Sequence, residues 1–174
     1  MQKRAQHSPS RWSGVFPAMI TPMHRDESLD LPALQRHIET MLAAGVQGIV
    51  VLGSLGENLS LTPDEKLAVI DCAVPTVRGR VPLLAGVIET STAAACRFAE
   101  AAARRGVDGL MLLPAMVYRA DPRETLRHFR RVARATELPI VCYNNPLSYH
   151  VDITPSMFAD LADEPRFVAI KESS

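Results

Sequence analysis

The chain has 174 residues, of which 47% are hydrophobic, and its 19 Lys and Arg balance its 19 Asp and Glu. This length and apolar content suit one domain with a buried core and exclude a chain that is disordered throughout. A protein that holds nucleic acid through phosphates normally carries a basic excess, which is lacking here. The apolar runs fall short of the roughly 20 residues that cross a bilayer. We therefore expect neither a nucleic-acid nor a membrane partner.

The cysteines and histidines predict neither a disulfide framework nor a metal site. Cys72, Cys96 and Cys142 form no CxxC pair, and the five histidines show no HExxH spacing. We expect no metal and no other cofactor. Residues 1–13 are polar and lack the apolar stretch of a signal peptide, so we interpret them as a flexible tail. Free thiols without a signal favour a cytoplasmic protein.

From residue 14 onward, short apolar runs rich in Val, Ile and Leu alternate with longer helical segments. Nearly continuous apolar strands are typical of parallel sheets that are covered on both faces. The predicted strands are 15–20, 48–52, 81–87, 109–113, 139–143 and 167–171. The predicted helices are 31–44, 63–77, 92–105, 122–135 and 155–162.

The helix boundaries and an internal repeat narrow the fold class. N-cap side chains precede a first-turn proline at four helix starts: Asp30, Thr62, Asp121 and Thr154. Residues 44–52 resemble residues 105–113, an offset of 61 residues or two βα units. Recurring βα units of about 30 residues give either an open doubly wound sheet or a (β/α)8 barrel. No GxGxxG follows the first strand, which disfavours dinucleotide binding.

The loop after the second predicted strand reads Gly-Ser-Leu-Gly-Glu at 53–57. Both candidate folds place their ligands at the carboxyl ends of strands. Two glycines allow a sharp turn that points N–H groups at one spot, and Ser54 adds a hydroxyl. The loop is either a carboxylate or phosphate site or an ordinary βα turn.

Tyr143 and Lys171 end the fifth and sixth predicted strands. Tyr143 is either a proton shuttle or an amphipathic side chain with a bonded hydroxyl, and Cys142 beside it should face the opposite way. Strand alternation predicts that Phe167, Ala169 and Lys171 share one face. Lys171 either extends to solvent or, if its ammonium is desolvated, supplies an amine that forms a Schiff base.

Four motifs occur in order at βα spacing: Thr-Pro at 21–22, Gly-Ser-Leu-Gly-Glu at 53–57, Tyr-Asn-Asn-Pro at 143–146 and Ile-Lys-Glu at 170–172. Through these four motifs, residues 14–174 resemble the dihydrodipicolinate synthase and N-acetylneuraminate lyase family of Schiff-base lyases that act on pyruvate. The resemblance implies an α/β fold, the (β/α)8 TIM barrel, of which about six βα units are present. It also implies a homo-oligomer, a dimer or a tetramer.

The resemblance assigns roles to individual residues. Lys171 matches the lysine that condenses with the 2-oxo group of pyruvate or a related acid. Tyr143 matches the tyrosine that moves protons during imine formation. Ser54 and the backbone amide of Leu55 match the loop that binds the substrate carboxylate, which agrees with the chemistry of amides and a hydroxyl.

Three departures from the family pattern bear on the reaction. The family loop commonly has Thr at the position of Leu55, and that hydroxyl belongs to the proton relay of the synthase. The synthase has Arg at the position of Ser148, and a hydroxyl cannot replace that carboxylate clamp. Tyr118 is the candidate for the synthase's aromatic substrate contact, at a one-residue shift. The changes at Leu55 and Ser148 disfavour the lysine-pathway synthase. The Gly-Ser-Leu-Gly-Glu and Tyr-Asn-Asn-Pro motifs together resemble more the catabolic aldolases, dehydratases and deaminases, such as one acting on a pyrroline-4-hydroxy-2-carboxylate.

The competing hypothesis is a truncated or degenerate family member that binds or assembles without catalysis. The sequence ends three residues after Lys171, and two further βα units would close a barrel. Open edges of a parallel sheet expose unpaired backbone and apolar surface. We therefore expect this segment alone to be poorly soluble, or to exist within a longer chain or a swapped assembly.

Overall fold

A computed structural model describes residues 12–115 and 117–173 of the chain. The strands are β1 (Ile49–Val51), β2 (Leu83–Val87), β3 (Gly109–Leu112), β4 (Ile140–Asn144) and β5 (Phe167–Glu172). The helices are α1 (Leu31–Ala43), α2 (Pro63–Val77), α3 (Thr92–Arg105), α4 (Pro122–Ala133), α5 (Pro146–Tyr149) and α6 (Pro155–Asp160). A 3-10 turn covers Asn58–Ser60. Helix α5 and the 3-10 turn were not predicted, and the other elements match the predicted ones to within two residues, except the first strand.

The five strands form one sheet in chain order, and each strand pairs in parallel with the next. A doubly wound sheet reverses its strand order at a switch point, and no reversal occurs among the described strands. Helical residues of α1 to α4 and α6 belong to the core on one face of the sheet. This winding is that of a barrel wall and decides between the two candidate folds.

The predicted first strand, 15–20, does not form a regular strand. Only Ala18 bridges to Val50, although the amide of Val50 donates to Pro17 O at 3.0 Å and the amide of Met19 donates to Val50 O at 2.8 Å. Pro17 has no N–H to donate, which interrupts a ladder at this point. The segment therefore runs beside β1 without extending the sheet as a full strand.

The predicted helix caps are confirmed. Asp30 accepts a hydrogen bond from the amide of Ala33, and Thr154 accepts one from Met157. The helix starts at Thr62 and Asp121 are capping boxes in which a glutamate at the third helical position returns a bond to the cap backbone. These bonds satisfy amides at the helix starts, while fully buried side chains such as Phe129 fix the helices on the sheet.

A second apolar cluster covers the other face of the sheet. Its buried members are Val50, Leu84, Ile88, Met111, Leu113 and Tyr143. Trp12 packs against this cluster, with its ring centre 6.4 Å from that of Phe16. Of the predicted tail, residues 1–11 lie outside the described residues. This face corresponds to the interior of a barrel.

A bulge between β4 and β5 changes which β5 residues face inward. Phe167 pairs with Ile140, but Ala169 pairs with Val141, so one extra residue lies on β5. Phe167 consequently packs in the outer core, 6.0 Å from the ring centre of Phe129. The prediction that Phe167 shares the face of Lys171 is wrong, because alternation does not hold across a bulge.

Candidate active site

Lys171 and Tyr143 lie side by side at the carboxyl ends of β5 and β4. They are register partners in the parallel ladder, and the Lys171 Nζ atom lies 3.8 Å from the centre of the Tyr143 ring. Tyr143 is buried at 8% exposure, whereas Lys171 is exposed. An ammonium over an aromatic face is an attractive pair. The structure thus brings together the two residues predicted to carry chemistry.

The surroundings of Tyr143 favour ionisation of its phenol. Burial raises the pKa of Tyr143, but the Asn145 amide and the positive charge of Lys171 outweigh burial, so the pKa falls below its usual range. The Asn145 Nδ2 atom donates to the Tyr143 hydroxyl oxygen at 3.3 Å. A phenol with a lowered pKa gives up its proton more readily near neutral pH, as a proton shuttle requires.

Cys142, the neighbour of Tyr143, faces away from the site as predicted. Its side chain is fully buried in the outer core, and burial raises the pKa of its thiol to about 12. A thiol in this state is not a nucleophile.

Asn144 fixes the end of β5. Its Nδ2 atom donates to Glu172 Oε2 and to Asp152 Oδ1, both at 3.0 Å, and its Oδ1 atom accepts from the Ile153 amide at 2.9 Å. Asn144 is 3% exposed, so these bonds are shielded from water. Because Glu172 follows Lys171 directly, the Asn144 bonds hold the lysine's backbone in register with Tyr143.

Unusual backbone geometry shapes the 53–57 loop. Leu52 and Glu57 adopt left-handed conformations, with φ of 58° and 54°. A Cβ atom at Gly86 would lie 2.1 Å from the Leu52 carbonyl oxygen, so only glycine admits this path of the chain. Buried Asn58 donates to the carbonyls of Leu52 and Gly86 at 3.0 and 3.2 Å.

Thr21 of the predicted Thr-Pro motif also supports this loop. Its hydroxyl donates to the Gly56 carbonyl at 2.7 Å. Within the described residues, the backbone N–H groups of Ser54 and Leu55 donate to no other group. Free amides beside a hydroxyl match the predicted carboxylate site. The Leu55 side chain itself is 58% exposed.

Tyr149 joins the loop to Tyr143 and was missed by the sequence analysis. The hydroxyls of Tyr149 and Ser54 are 2.5 Å apart, and the rings of Tyr149 and Tyr143 meet edge to face with centres 5.5 Å apart. Tyr149 ends α5, which Asn145 caps by accepting from the Ser148 amide. The Asn145-Pro146 pair was a helix-start signal that would have predicted α5.

Within the described residues, the side chains of Tyr118 and Ser148 form no hydrogen bond with Lys171 or Tyr143. Tyr118 is 64% exposed, and its hydroxyl contacts Glu124 Oε1 at 3.5 Å, at the start of α4. Met116 lies outside the described residues, so the alignment of Tyr118 is not fixed, and its role stays a prediction. Ser148 is exposed on α5, where it cannot supply the charge of an arginine.

A cavity of about 460 Å³ opens beside Lys171 on the inner face of the sheet, within the usual range of roughly 300–1,000 Å³ for small-molecule sites. Its lining is mainly apolar and includes Trp12, Phe16, Leu84 and Met111. Within the described residues, no cluster of three or more His, Cys, Asp or Glu is placed to hold a metal ion. Over the same ranges, every helix is too short or too polar to span a membrane.

Parallel strands in chain order, connected by helices, define part of a barrel of βα units, and a lysine and a tyrosine lie at adjacent carboxyl ends of its strands. The sequence matches the dihydrodipicolinate synthetase family over residues 11–174, and the chain belongs to this family. The chain is 40% identical over 165 residues to a 4-hydroxy-tetrahydrodipicolinate synthase of Methanoculleus marisnigri. The aligned region makes up 94% of this chain and 56% of that protein.

Solved structures confirm the predicted fold class. Dihydrodipicolinate synthase from Aquifex aeolicus superposes with a TM-score of 0.90 at 32% identity, over 94% of this chain and 56% of that one. YagE is a prophage protein of the same family from E. coli K12, and its structure was solved in complex with pyruvate. It superposes with a TM-score of 0.89 at 30% identity, over 93% of this chain and 55% of that one. The chain therefore spans about half the length of these relatives and forms an incomplete (β/α)8 barrel.

Proposed function

We propose that the protein is a lyase that forms a Schiff base between Lys171 Nζ and the 2-oxo group of a small acid. The observation that carries the proposal is the Lys171 and Tyr143 pair, with the ammonium 3.8 Å from the ring centre. An amine beside a phenol of lowered pKa supports the proposal, because imine chemistry needs a nucleophile and a group that can transfer protons. YagE was solved with pyruvate, which supports a 2-oxo acid as the partner.

The proposed reaction begins with imine formation at Lys171. The Lys171 ammonium first gives one proton to solvent. The neutral amine attacks C2 of the 2-oxo acid, forming a C–N bond and breaking the C–O π bond, and a proton moves from the nitrogen to the oxygen to give a carbinolamine. Its hydroxyl leaves as water with a proton from Tyr143, which leaves an iminium and an ionised Tyr143 that regains its proton from solvent. The iminium withdraws electrons from C3, which lowers the barrier to breaking or forming a bond there. Hydrolysis then returns the free amine and the product.

The 53–57 loop supplies the second half of the site. The carboxylate of the 2-oxo acid accepts hydrogen bonds from the free amides of Ser54 and Leu55 and from the Ser54 hydroxyl. These groups cost no further reorganisation, because the Gly86 contact and the Asn58 bonds already fix the loop. Binding the carboxylate here orients C2 towards Lys171.

The reaction that we propose is a pyruvate-type aldol cleavage, dehydration or deamination, such as that of a pyrroline-4-hydroxy-2-carboxylate, and not the lysine-pathway condensation. Ser148 lacks the guanidinium that the resemblance assigns to the synthase at this position, and Leu55 lacks the threonine hydroxyl. The relative from Methanoculleus marisnigri is a 4-hydroxy-tetrahydrodipicolinate synthase. Turnover assays with a carboxylate-bearing second substrate and with hydroxylated cyclic imine acids separate these reactions.

Reductive trapping tests the proposal directly. Protein is mixed with pyruvate and borohydride, and modified peptides are mapped by mass spectrometry. The chain has only three lysines, Lys3, Lys66 and Lys171, so assignment is unambiguous. Lys66 is buried in an ion pair with Glu89 at 2.7 Å and serves as the internal control. We expect the adduct on Lys171 alone.

Lys171→Arg is the matched variant, because it keeps a cation beside Tyr143 but removes the nucleophilic amine. It should form no adduct. If a folded, unaltered protein gives no adduct with any 2-oxo acid, the binding-only alternative replaces the lyase.

We also propose that the protein is cytoplasmic and forms an oligomer. Cys72, Cys96 and Cys142 are all free thiols, as expected in the reducing cytoplasm. We propose a dimer or tetramer, which sedimentation of the purified protein tests.

A further inference from the structure

The bulge in β5 is what turns Lys171 towards Tyr143. Strand β4 has five residues and β5 has six, yet the two strands are register partners at both ends. A regular ladder that starts from Phe167 on the outer side would place Ile170 opposite Tyr143, because alternate residues share a face. Lys171 would then turn to the outer side. The lysine reaches the site only because β5 accommodates one extra residue.

Burial of side chains does not account for this bulge. Among the described strands β5 pairs with β4 alone, and its residues 168–172 are exposed. Register is strongly specified where one face of a strand is buried, and a bulge leaves one residue of the ladder unpaired. A strand as exposed as β5 would be expected to pair regularly. The contacts that hold the bulge lie at the two ends of the strand.

Arg166 fixes the start of β5 with all three nitrogens of its guanidinium. Its Nε atom donates to the Thr136 carbonyl at 2.6 Å, and its Nη1 atom donates to Glu164 Oε1 at 2.7 Å. Its Nη2 atom donates to both carboxylate oxygens of Glu137, at 2.9 and 3.0 Å. The Arg166 carbonyl accepts from the Ile140 amide at 2.7 Å. Since Thr136 and Glu137 lead into β4, the arginine ties the starts of the two strands together.

The start of β5 is also shielded and packed. Thr136 and Glu164 are buried, which strengthens their bonds to the guanidinium, whereas the exposed Glu137 adds little. Phe167 follows the arginine and packs in the outer core against Phe129. The first residue of the strand is therefore held from two sides.

Glu172 fixes the other end of β5 through Asn144. The Glu172 Oε2 atom accepts from the Asn144 Nδ2 atom at 3.0 Å. The other hydrogen bonds of this asparagine side chain go to Asp152 and to the Ile153 amide, outside β5. The Ser173 amide donates to the Asn144 carbonyl at 3.0 Å and adds a backbone bond at the same point. The asparagine is thus fixed independently of β5, and Glu172 is the side chain of β5 that attaches to it.

We propose that Glu172 is a positioning residue that forces the bulge in β5, an inference that rests on the proposed Schiff-base function. With Arg166 holding the start of the strand and Glu172 its end, six residues span five, and Lys171 faces inward. Without the Glu172 bond, β5 pairs regularly from its fixed start. Ile170 then takes the place beside Tyr143. Glu172 acts through the strand and touches neither the substrate nor the reacting atoms.

The rate of trapping with pyruvate and borohydride tests this role. We expect Glu172→Ala to form the Lys171 adduct about tenfold more slowly, the cost of losing one hydrogen bond to a charged group. Glu172→Gln should retain most of the rate, because its amide oxygen still accepts from Asn144. Glu100→Ala, which removes an exposed carboxylate on α3, is the control for an unchanged rate. An unchanged rate in Glu172→Ala would overturn the inference.

A lysine moved by one position distinguishes a change of register from a loss of stability. The double variant Ile170→Lys with Lys171→Ala should give no adduct at position 170, because that position pairs with Cys142 on the outer side. Adding Glu172→Ala should bring position 170 beside Tyr143 and produce an adduct there. A loss of stability alone would lower reactivity and not create it. Absence of an adduct at position 170 in the triple variant would overturn the inference.

The titration of Tyr143 reports the register without any substrate. The chain has three tyrosines, so protein labelled with ¹³C at the tyrosine Cζ gives three resonances to follow against pH, with the exposed Tyr118 as reference. We expect the Tyr143 titration to move to higher pH in Glu172→Ala, because the Lys171 ammonium that lowers its pKa moves away. Loss of a carboxylate charge by itself has the opposite effect. A Tyr143 titration that stays or moves to lower pH would contradict the proposed role.

The two proposals fail differently. No adduct with any 2-oxo acid in the unaltered protein would overturn the Schiff-base function, while the Tyr143 titration still decides whether Glu172 sets the register. An adduct in the unaltered protein that forms at the same rate in Glu172→Ala would overturn the role of Glu172 alone.

Discussion

The Lys171 Nζ atom lies 3.8 Å from the centre of the Tyr143 ring because the two residues are partners in the parallel ladder of β4 and β5. Neighbouring strands of a sheet lie about 4.8 Å apart, so register partners on one face are in contact without help from a loop. The pairing would not hold if the strands slipped by one residue, since the side chains would turn to opposite faces. The bulge at Ile140 and Val141 sets this register.

Removing the charge of Lys171 should make Tyr143 a weaker acid. We expect Lys171→Ala to raise the pKa of Tyr143, because the ammonium is one of the groups that lower it. Lys171→Arg, which keeps a positive charge, should leave the pKa closer to that of the unaltered protein. The ¹³C titration of Tyr143 measures both. Equal values in the two variants would show that the charge has no influence.

Restoring threonine in the loop should affect later steps without affecting imine formation. We expect Leu55→Thr to leave borohydride trapping intact, because in the proposed site the substrate carboxylate contacts the amide of residue 55 and not its side chain. Turnover after imine formation should change. Leu55→Val, which has the shape of threonine without its hydroxyl, is the control. A Leu55→Thr variant that cannot be trapped would contradict the assigned role of this loop.

Adding one methyl group at Gly86 should displace the 53–57 loop. The Cβ atom would lie 2.1 Å from the Leu52 carbonyl oxygen, a backbone atom that cannot move alone. We expect Gly86→Ala to lower the free energy of unfolding by about 3 kcal/mol, at the upper end for overpacking. Gly53→Ala is the matched control, since its nearest neighbour is the flexible end of Met111 at 3.3 Å. Urea unfolding measures the free energy of unfolding of both variants. Equal losses of stability would show that the contact between residue 86 and the Leu52 carbonyl is not the cause.

The buried imidazole of His128 should make stability depend on pH. Burial lowers the pKa of His128, and the positive charge of Arg131 lowers it further. A hydrogen bond with the backbone of Leu113 opposes both effects but does not cancel them. Below the ordinary value of about 6.5, the unfolded chain binds a proton that the folded one does not, so stability is lost as the pH falls. Above that value the contribution of the neutral ring is fully present.

The contribution of His128 can be isolated with His128→Gln, which keeps a polar group near Thr92. Chemical unfolding at pH 7.5 and pH 5.5 should show a smaller loss of stability in the variant than in the unaltered protein. The same loss in both would assign the pH dependence to other groups.

The sequence alone determined the strand and helix order, the helix starts and the family. These follow from local rules: apolar runs predict buried strands, and Thr62 or Asp121 before a proline predicts a helix start. It also predicted that Lys171, Tyr143 and the 53–57 loop belong to one site, since all of them end strands.

Only the tertiary structure decided how these parts meet. The face of Phe167 depends on a bulge, which arises from pairing with β4 and leaves no trace in strand alternation. The bond between Ser54 and Tyr149 joins residues 95 positions apart, and no periodicity in the chain encodes that distance. Local chemistry therefore fixes which residues are available, whereas strand register and loop packing fix which of them touch.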